Sequence, residues 1–429
     1  MSELQAERPP PPARLAAPRR TPAAWLLGQL RESYVQLFAS QLLIGAVALV
    51  ANVLMVRALT PAHRGEVALM LQVVYLATQV MLLGTERSFV ASYHNTAPAA
   101  AVRAYARLLV VPCGLGLTVA AVYTMVAPDR LNPGPLVVSL LGGYSLVEVS
   151  GLAIQSIAIA AGRVGDFLVL RFVESGLLLV LLIALYLAGT THPEIWIVAY
   201  LVAGGLPTIW YVLRWLRMPP GATTAVDHNR LVRREGLALF PAALSNMAML
   251  RSDRLALPAI ASTSALGLYA SVATMTELLA WPVRAYADSR LGRWRASHRD
   301  GRLAARPIIL SAALYGLVVA PIAAAGLYLL IVPVFGHQYA PAKVVVVPLV
   351  AAAALYAVSR VSLGLLIAKG HGGLVSAAEI TGFVVSFAAY LLLIPPFGIL
   401  GAAYGSLIGY GSCLVFALVT NTVAREKAP

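Results

Sequence analysis

Apolar runs close to 20 residues long recur along almost the whole chain, and that feature leaves few folds open. A helix needs about 20 apolar residues to cross the roughly 30 Å hydrocarbon core of a bilayer. It also satisfies its own backbone polar groups there, where no water can do so. Of the 429 residues 59% are hydrophobic and only 12% charged, about half the charge share of soluble domains. Twelve helical spans are read, at 34–57, 66–92, 104–127, 134–160, 166–188, 194–216, 236–259, 266–287, 306–332, 343–368, 373–394 and 398–422. The chain is therefore expected to be an all-α polytopic membrane protein.

Charge sets the expected orientation. With the N-terminus inside, 26 of the 32 Lys and Arg residues fall on cytoplasmic segments, as the positive-inside rule requires. Both termini are then cytoplasmic, in a multi-pass protein of the cell (inner, cytoplasmic) membrane. The net charge of +14 is spent between apolar runs, so no nucleic-acid partner is indicated. Cys113 and Cys413 each lie inside an apolar run and read as small buried hydrophobes. The seven histidines lie at or beyond span ends, and no metal motif is seen.

Five units follow. Residues 1–33, with Pro9 to Pro12 and several arginines, read as a disordered basic cytoplasmic arm without the apolar core of a signal peptide. Residues 34–217 form an N-terminal six-helix bundle, 218–235 a cytoplasmic linker, 236–423 a C-terminal six-helix bundle, and 424–429 a tail. The basic stretch 288–305, with Trp294, reads as an inner connection lying on the anionic leaflet. The halves repeat at an offset of 202 residues: Leu37-Phe38 precedes Gly65 as Leu239-Phe240 precedes Gly267. Six spans separate the copies. The bundles are thus expected to share an orientation, related by a pseudo-twofold along the membrane normal with a central cleft between them.

The costliest stretch is RSDR, deep in the seventh span, with Arg251, Asp253 and Arg254. An Arg or Asp at a helix centre costs about 3 kcal/mol on insertion scales, so such residues are candidates for function. Arg251 and Arg254 share a face and Asp253 points elsewhere. That suggests two cations on a wet cavity with a carboxylate anchored to a neighbouring helix. Arg360 is a third cavity-cation candidate. Glu148 and Glu277 lack a local partner, and each could neutralise an arginine or carry a proton. Arg171 and Glu174 stand i, i+3 and read as a structural pair. Glu379 reads as a surface residue near a helix end, and Glu86-Arg87 as the end of the second span.

Several segments resemble Wzx-type oligosaccharide flippases, which share a superfamily with MATE-type drug exporters and lipid II flippases. VRALTPAHRGEVALM (Val56 to Met70) is similar to their turn after the first helix. RSDRLALPAIASTSALGLYASVATM (Arg251 to Met275) is similar to their seventh-helix Asp and the Gly-x-Tyr-x-x-Ala that opens the eighth, here Asp253 and, at a spacing one residue looser, Gly267, Tyr269 and Ala273. LLGTERSFVAS and PPFGILGAAYGSLIG give partial matches after the second helix and into the last. The resemblance implies two six-helix bundles carrying an undecaprenyl-diphosphate-linked oligosaccharide across the cytoplasmic membrane, for cell-surface polysaccharide assembly. It also implies company with a polysaccharide polymerase and glycosyltransferases. The chain departs from lipid II flippases in lacking sequence for two further helices, and its Pro-rich arm is long. Arginine suits such a headgroup, because its planar fork stays charged and matches phosphate oxygens. No nucleophile, nucleotide loop or cofactor motif is present, so no enzyme is expected; coupling to H+ or Na+ stays open. A MATE-like drug or ion antiporter is the alternative, and it would want a cavity dominated by carboxylates. A membrane polysaccharide polymerase or ligase is the remaining one, and it would want a large outer loop.

Overall fold

The computed structural model describes residues 33–94, 96–126, 134–218 and 228–423. The arm, the middle of the linker and the tail read from the sequence lie outside the described residues. Twelve long helices run through the rest. They are α1 (Ser33–Ala58), α2 (Pro61–Leu82), α3 (Pro98–Val126), α4 (Pro135–Ala160), α5 (Val164–Leu187) and α6 (Pro193–Leu216). They continue with α7 (Asn229–Ile260), α8 (Thr263–Arg299), α9 (Ala305–Leu330), α10 (Val346–Ala368), α11 (Gly372–Phe397) and α12 (Ile399–Val423). Proline opens four of them, at Pro61, Pro98, Pro135 and Pro193. There its missing N–H is no loss and its fixed φ already suits the helix.

Nine helices among the described residues are long and apolar enough to cross a membrane. α7 and α8 fall outside that measure, and both are broken up by charge, as at Arg251, Asp253, Arg254 and Glu277. The helices turn large apolar side chains outward, among them Val110, Val111, Leu187, Leu317 and Leu392. In water such a surface would aggregate; facing acyl chains it costs nothing.

The contacts repeat between halves. In the first, α1 packs on α5, α2 on α3, α4 and α6, α4 on α3 and α6, and α5 on α6. In the second, α7 packs on α11, α8 on α9, α10 and α12, α10 on α9 and α12, and α11 on α12. The second set is the first moved on by six helices. Between halves, α2 packs on α8, while α1 on α8 and α7 on α2 exchange under a two-fold. Since six helices separate the copies, both halves traverse the membrane in the same sense and the axis runs along its normal.

The two-fold is tightest where the first turns of α2 and α8 cross. A Cβ on Gly65 would lie 1.8 Å from the Thr263 carbonyl oxygen, and one on Gly267 would lie 1.8 Å from the Pro61 carbonyl oxygen. Only glycine lets the backbones approach so closely. The caps repeat as well: Thr60 Oγ1 accepts from His63 N at 3.3 Å, and Ser262 Oγ accepts from Ala265 N at 3.1 Å. A second seam joins α11 to α12, where a Cβ on Gly409 would fall 1.5 Å from Ser386 Oγ.

The repeat breaks at the opposite ends of the paired helices, and two expectations are corrected there. The span read as 66–92 is two helices. α2 ends at Leu82, Leu83 (φ 47°) and Gly84 (φ 69°) are left-handed, and a short helix (Thr85–Ser92) follows. Leu83 in that region is strained, and its N–H bond to the Gln79 carbonyl at 3.2 Å helps hold it there. The short helix docks on the start of α7, where Ser88 Oγ donates to the Val232 carbonyl at 3.3 Å and Tyr93 Oη to Asn229 Oδ1 at 2.9 Å. The stretch 288–305, read as an inner connection lying on the leaflet, is through Arg299 a continuous extension of α8. No glycine interrupts it at Ala285 and Tyr286, the counterparts of Leu83 and Gly84. Ala287 and Trp294 stay buried as it goes, with a Cβ on Gly364 falling 3.1 Å from the Trp294 ring.

Candidate functional site

A charged cluster sits where α7 and α8 meet α2. Arg251 Nη1 donates to Glu277 Oε1 at 3.1 Å, and Arg254 Nη2 donates to the same oxygen. Arg251 and Arg254 lie three apart on one face of α7, so a single carboxylate from α8 serves both. Asp253, on the other side of α7, has both oxygens engaged: Oδ2 accepts from Tyr269 Oη at 2.6 Å and Oδ1 from Arg254 N at 2.7 Å. Tyr269 also stands 3.2 Å from Ser406 Oγ, which lies 2.9 Å from Tyr390 Oη, so the network ties α7 to α8, α11 and α12. The Arg251 guanidinium stacks over the Tyr75 ring of α2 at 5.5 Å. Arg251 therefore touches both halves, lying between Tyr75 and Glu277, which occupy equivalent positions in the repeat.

Two spaces meet at Arg251. One is a small cavity of about 80 Å³ inside the second half, of mixed lining, bordered by Arg251, Asp253, Glu277 and Arg284 as well as by Leu250 and Leu349. The other is an apolar groove of about 340 Å³ between the halves, formed by Leu76 of α2, Met247 and Leu255 of α7, and Phe383, Phe387 and Leu391 of α11. Arg251 borders both.

The other sequence-derived candidates divide. Arg254 is only 5% exposed and does not border the cavity, so its charge serves Glu277 from behind. Arg360, on α10, pairs with Glu379 of α11 at 2.9 Å and stacks on Tyr356. That corrects the surface reading of Glu379: it is buried at 5% exposure and also accepts from Asn246 Nδ2 of α7 at 3.3 Å. A carboxylate near a helix end is surface-bound only if no neighbouring helix aims a cation at it, and here one does. Arg171 and Glu174 pair within α5 at 2.8 Å. Glu148, half-buried on α4, has no hydrogen bond or ion pair among the described residues, with Tyr75, Tyr144, Arg171 and Glu174 as its charged or titratable surroundings. Cys113 and Cys413 are free.

Two site residues escaped the sequence reading. Arg284 was counted only as an inner charge at the end of the span read as 266–287, but α8 continues beyond it and Arg284 borders the cavity. Arg64 was assigned to a loop between spans. It lies instead in the first turn of α2, 3% exposed, donating Nη2 to Asn52 Oδ1 at 2.9 Å. The capping Thr60-Pro61 just before it was the available signal.

No protein-family model matches the chain, and no characterised protein matches it by sequence. Solved structures do match by fold. The chain superposes on the inward-facing conformation of a multidrug resistance MATE family transporter of the MOP superfamily with a TM-score of 0.67, 16% identity, and 89% of this chain and 94% of that one covered. An outward-facing conformation of such a transporter gives 0.62, at 15% identity and 92% and 95% coverage. The lipid II flippase MurJ in an inward closed conformation gives 0.62, at 10% identity and 90% and 87% coverage. The architecture of two six-helix bundles is thus shared with MATE transporters and MurJ.

Proposed function

We propose that this protein moves a lipid-linked oligosaccharide, an undecaprenyl-diphosphate glycan, across the cytoplasmic membrane by alternating access of its two bundles. The observation that carries the reading is the position of Arg251, where a cavity bearing charged side chains meets an apolar groove. An amphiphile with an anionic head and a polyprenyl tail matches that junction: diphosphate oxygens suit the guanidinium, and the tail suits Leu76, Phe383 and Phe387. Only the head must leave hydrocarbon, because the tail can stay in lipid throughout. Arg284, farther along α8, offers a second cation on the same cavity wall.

The electrostatics favour this over the MATE-like antiport of a cationic drug. The cavity carboxylates are engaged, Asp253 by Tyr269 and Arg254 N, and Glu277 by two arginines, so a cationic guest would meet guanidinium first. The fold shared with MurJ supports lipid-linked cargo as much as the fold shared with MATE proteins supports drugs. Residues 61–65 and 263–267 lie at the outer face when both termini are cytoplasmic, and their close crossing seals that side. Glu148, which has no salt-bridge partner among the described residues, is the residue we assign to coupling an H+ or Na+ gradient, since Glu277 is engaged by two arginines. Glycosyltransferases would supply the cargo and a polymerase would receive it.

Proteoliposomes carrying a fluorescent polyprenyl-diphosphate oligosaccharide test the reading, with a periplasmic-side glycosidase reporting transfer. Arg251→Gln should lower transfer at least tenfold in protein that folds normally, and Arg251→Lys should recover part of it. Undiminished transfer by Arg251→Gln, or transport of cationic dyes in place of the glycolipid, would remove the proposal.

A further inference from the structure

Arg251 carries its charge on a long, flexible side chain, yet its guanidinium is held by groups from both bundles. Nη1 donates to Glu277 Oε1 of α8 at 3.1 Å, and one flat face lies over the Tyr75 ring of α2, 5.5 Å from its centroid. Glu277 does not depend on this pair, because Arg254, with a side chain only 6% exposed, holds the same oxygen. Of the other two guanidinium nitrogens, Nε is buried without a partner, whereas Nη2 is neither bonded among the described residues nor enclosed. Nη2 is thus the donor left for a guest.

Tyr75 touches the guanidinium without bordering the cavity or the groove. Its hydroxyl has no hydrogen bond among the described residues, so what it offers Arg251 is the face of its ring. Arg251 and Glu277 both belong to the second bundle, and Tyr75 is the contact of Arg251 with the first. Tyr75 and Glu277 are equivalent in the 202-residue repeat. A group held between two equivalent residues sits close to the pseudo-twofold axis, at the centre of the molecule.

We infer that Tyr75 is a positioning residue for the anionic head of the cargo: its ring, supplied by the first bundle, holds the Arg251 guanidinium of the second with its Nη edge turned to the guest. The inference rests on the cargo reading above and adds to it a residue that meets no cargo atom. A diphosphate oxygen takes Nη2 first. Nη1 can follow, since Glu277 keeps Arg254, and the two nitrogens then form the fork that suits a phosphate. The ring lies on the flat face, out of the plane of these donors, so it stays in place while the fork fills. A side chain ordered in advance binds more tightly, because the cost of ordering it is not met on binding. The effect of the ring therefore falls on affinity and not on the exchange of the bundles.

The test is the proteoliposome assay with the fluorescent polyprenyl-diphosphate oligosaccharide, run over a range of glycolipid concentrations. Tyr75→Leu should raise the half-saturating concentration about three- to tenfold, as expected for the loss of a partly desolvated cation–π contact. The maximal rate should stay within about twofold of wild type. Tyr75→Phe keeps the ring and should restore wild-type half-saturation. Should Tyr75→Leu fail to fold, Tyr75→Met serves instead, being flexible and without a π face. In an Arg251→Gln background Tyr75→Leu should change half-saturation no further, whereas a route through Glu148, which also neighbours Tyr75, would survive there. A lower maximal rate at unchanged half-saturation, equal damage from Tyr75→Phe, or a further rise in the Arg251→Gln background overturns the inference and leaves the cargo reading standing. Undiminished transfer by Arg251→Gln removes both.

Discussion

Removing the charge of Glu277 tests whether the cluster is a cooperative unit. In Glu277→Gln the amide oxygen still accepts one hydrogen bond, but two guanidiniums that shared a carboxylate oxygen now face each other without it. Breaking a buried ion pair by removing one partner costs about 3–5 kcal/mol. The lower end applies, because the Glu277 side chain is 31% exposed on the cavity and Arg251 is 24% exposed. Most of the penalty falls on Arg254, whose side chain is 6% exposed. Arg251→Gln alone should cost less, about 1–2 kcal/mol, because Arg254 keeps Glu277 neutralised. The double variant should then cost less than the sum, with a coupling of about 1–2 kcal/mol, since removing Arg251 relieves the repulsion exposed by Glu277→Gln. Thermal unfolding in detergent, with equilibrium unfolding in mixed micelles for the free energies, measures all four proteins. Wild-type stability in Glu277→Gln, or strict additivity in the double variant, would show that the pairs are loose surface contacts.

Three further outcomes follow from the structure. Gly65→Val or Gly267→Val should abolish folded protein, because either places side-chain carbon inside contact distance of a carbonyl, whereas Gly326→Ala, with nothing within 4 Å of its Cβ, should leave yield unchanged; size-exclusion profiles of the three decide. Glu148→Gln should leave thermal stability within about 1 kcal/mol of wild type, having no bonded partner to lose, yet remove the dependence of transport on an imposed pH or sodium gradient; retained dependence would move the coupling role elsewhere. Reporter fusions after residue 227 and at the C-terminus should both report cytoplasm, and an external signal from either would invert the orientation of the cavity.

What the amino-acid sequence determines alone is whatever depends on local spacing. Run length gives the helices, because a bilayer admits apolar segments of about 20 residues and little else. The recurrence of Gly65 as Gly267, 202 residues later, announces two similar bundles, and the i, i+3 spacing of Arg251 and Arg254 places them on one face of α7. Spacing also shows that Asp253 must find its partner on another helix. Which partner it finds depends on how the helices cross. Glu277 lies 23 residues beyond Arg254, Glu379 lies 19 beyond Arg360, and Tyr269 reaches Asp253 over 16, distances at which chain separation carries no angular information. The break at Leu83-Gly84 and the continuous run of α8 past Arg284 likewise depend on what packs alongside: the start of α7 in one half and α10 in the other. Arg64 is the extreme case. A sequence can show that an arginine stands near a helix start. Only the packed tertiary structure decides its partner, and among the described residues Arg64 bonds Asn52 Oδ1 and forms no ion pair.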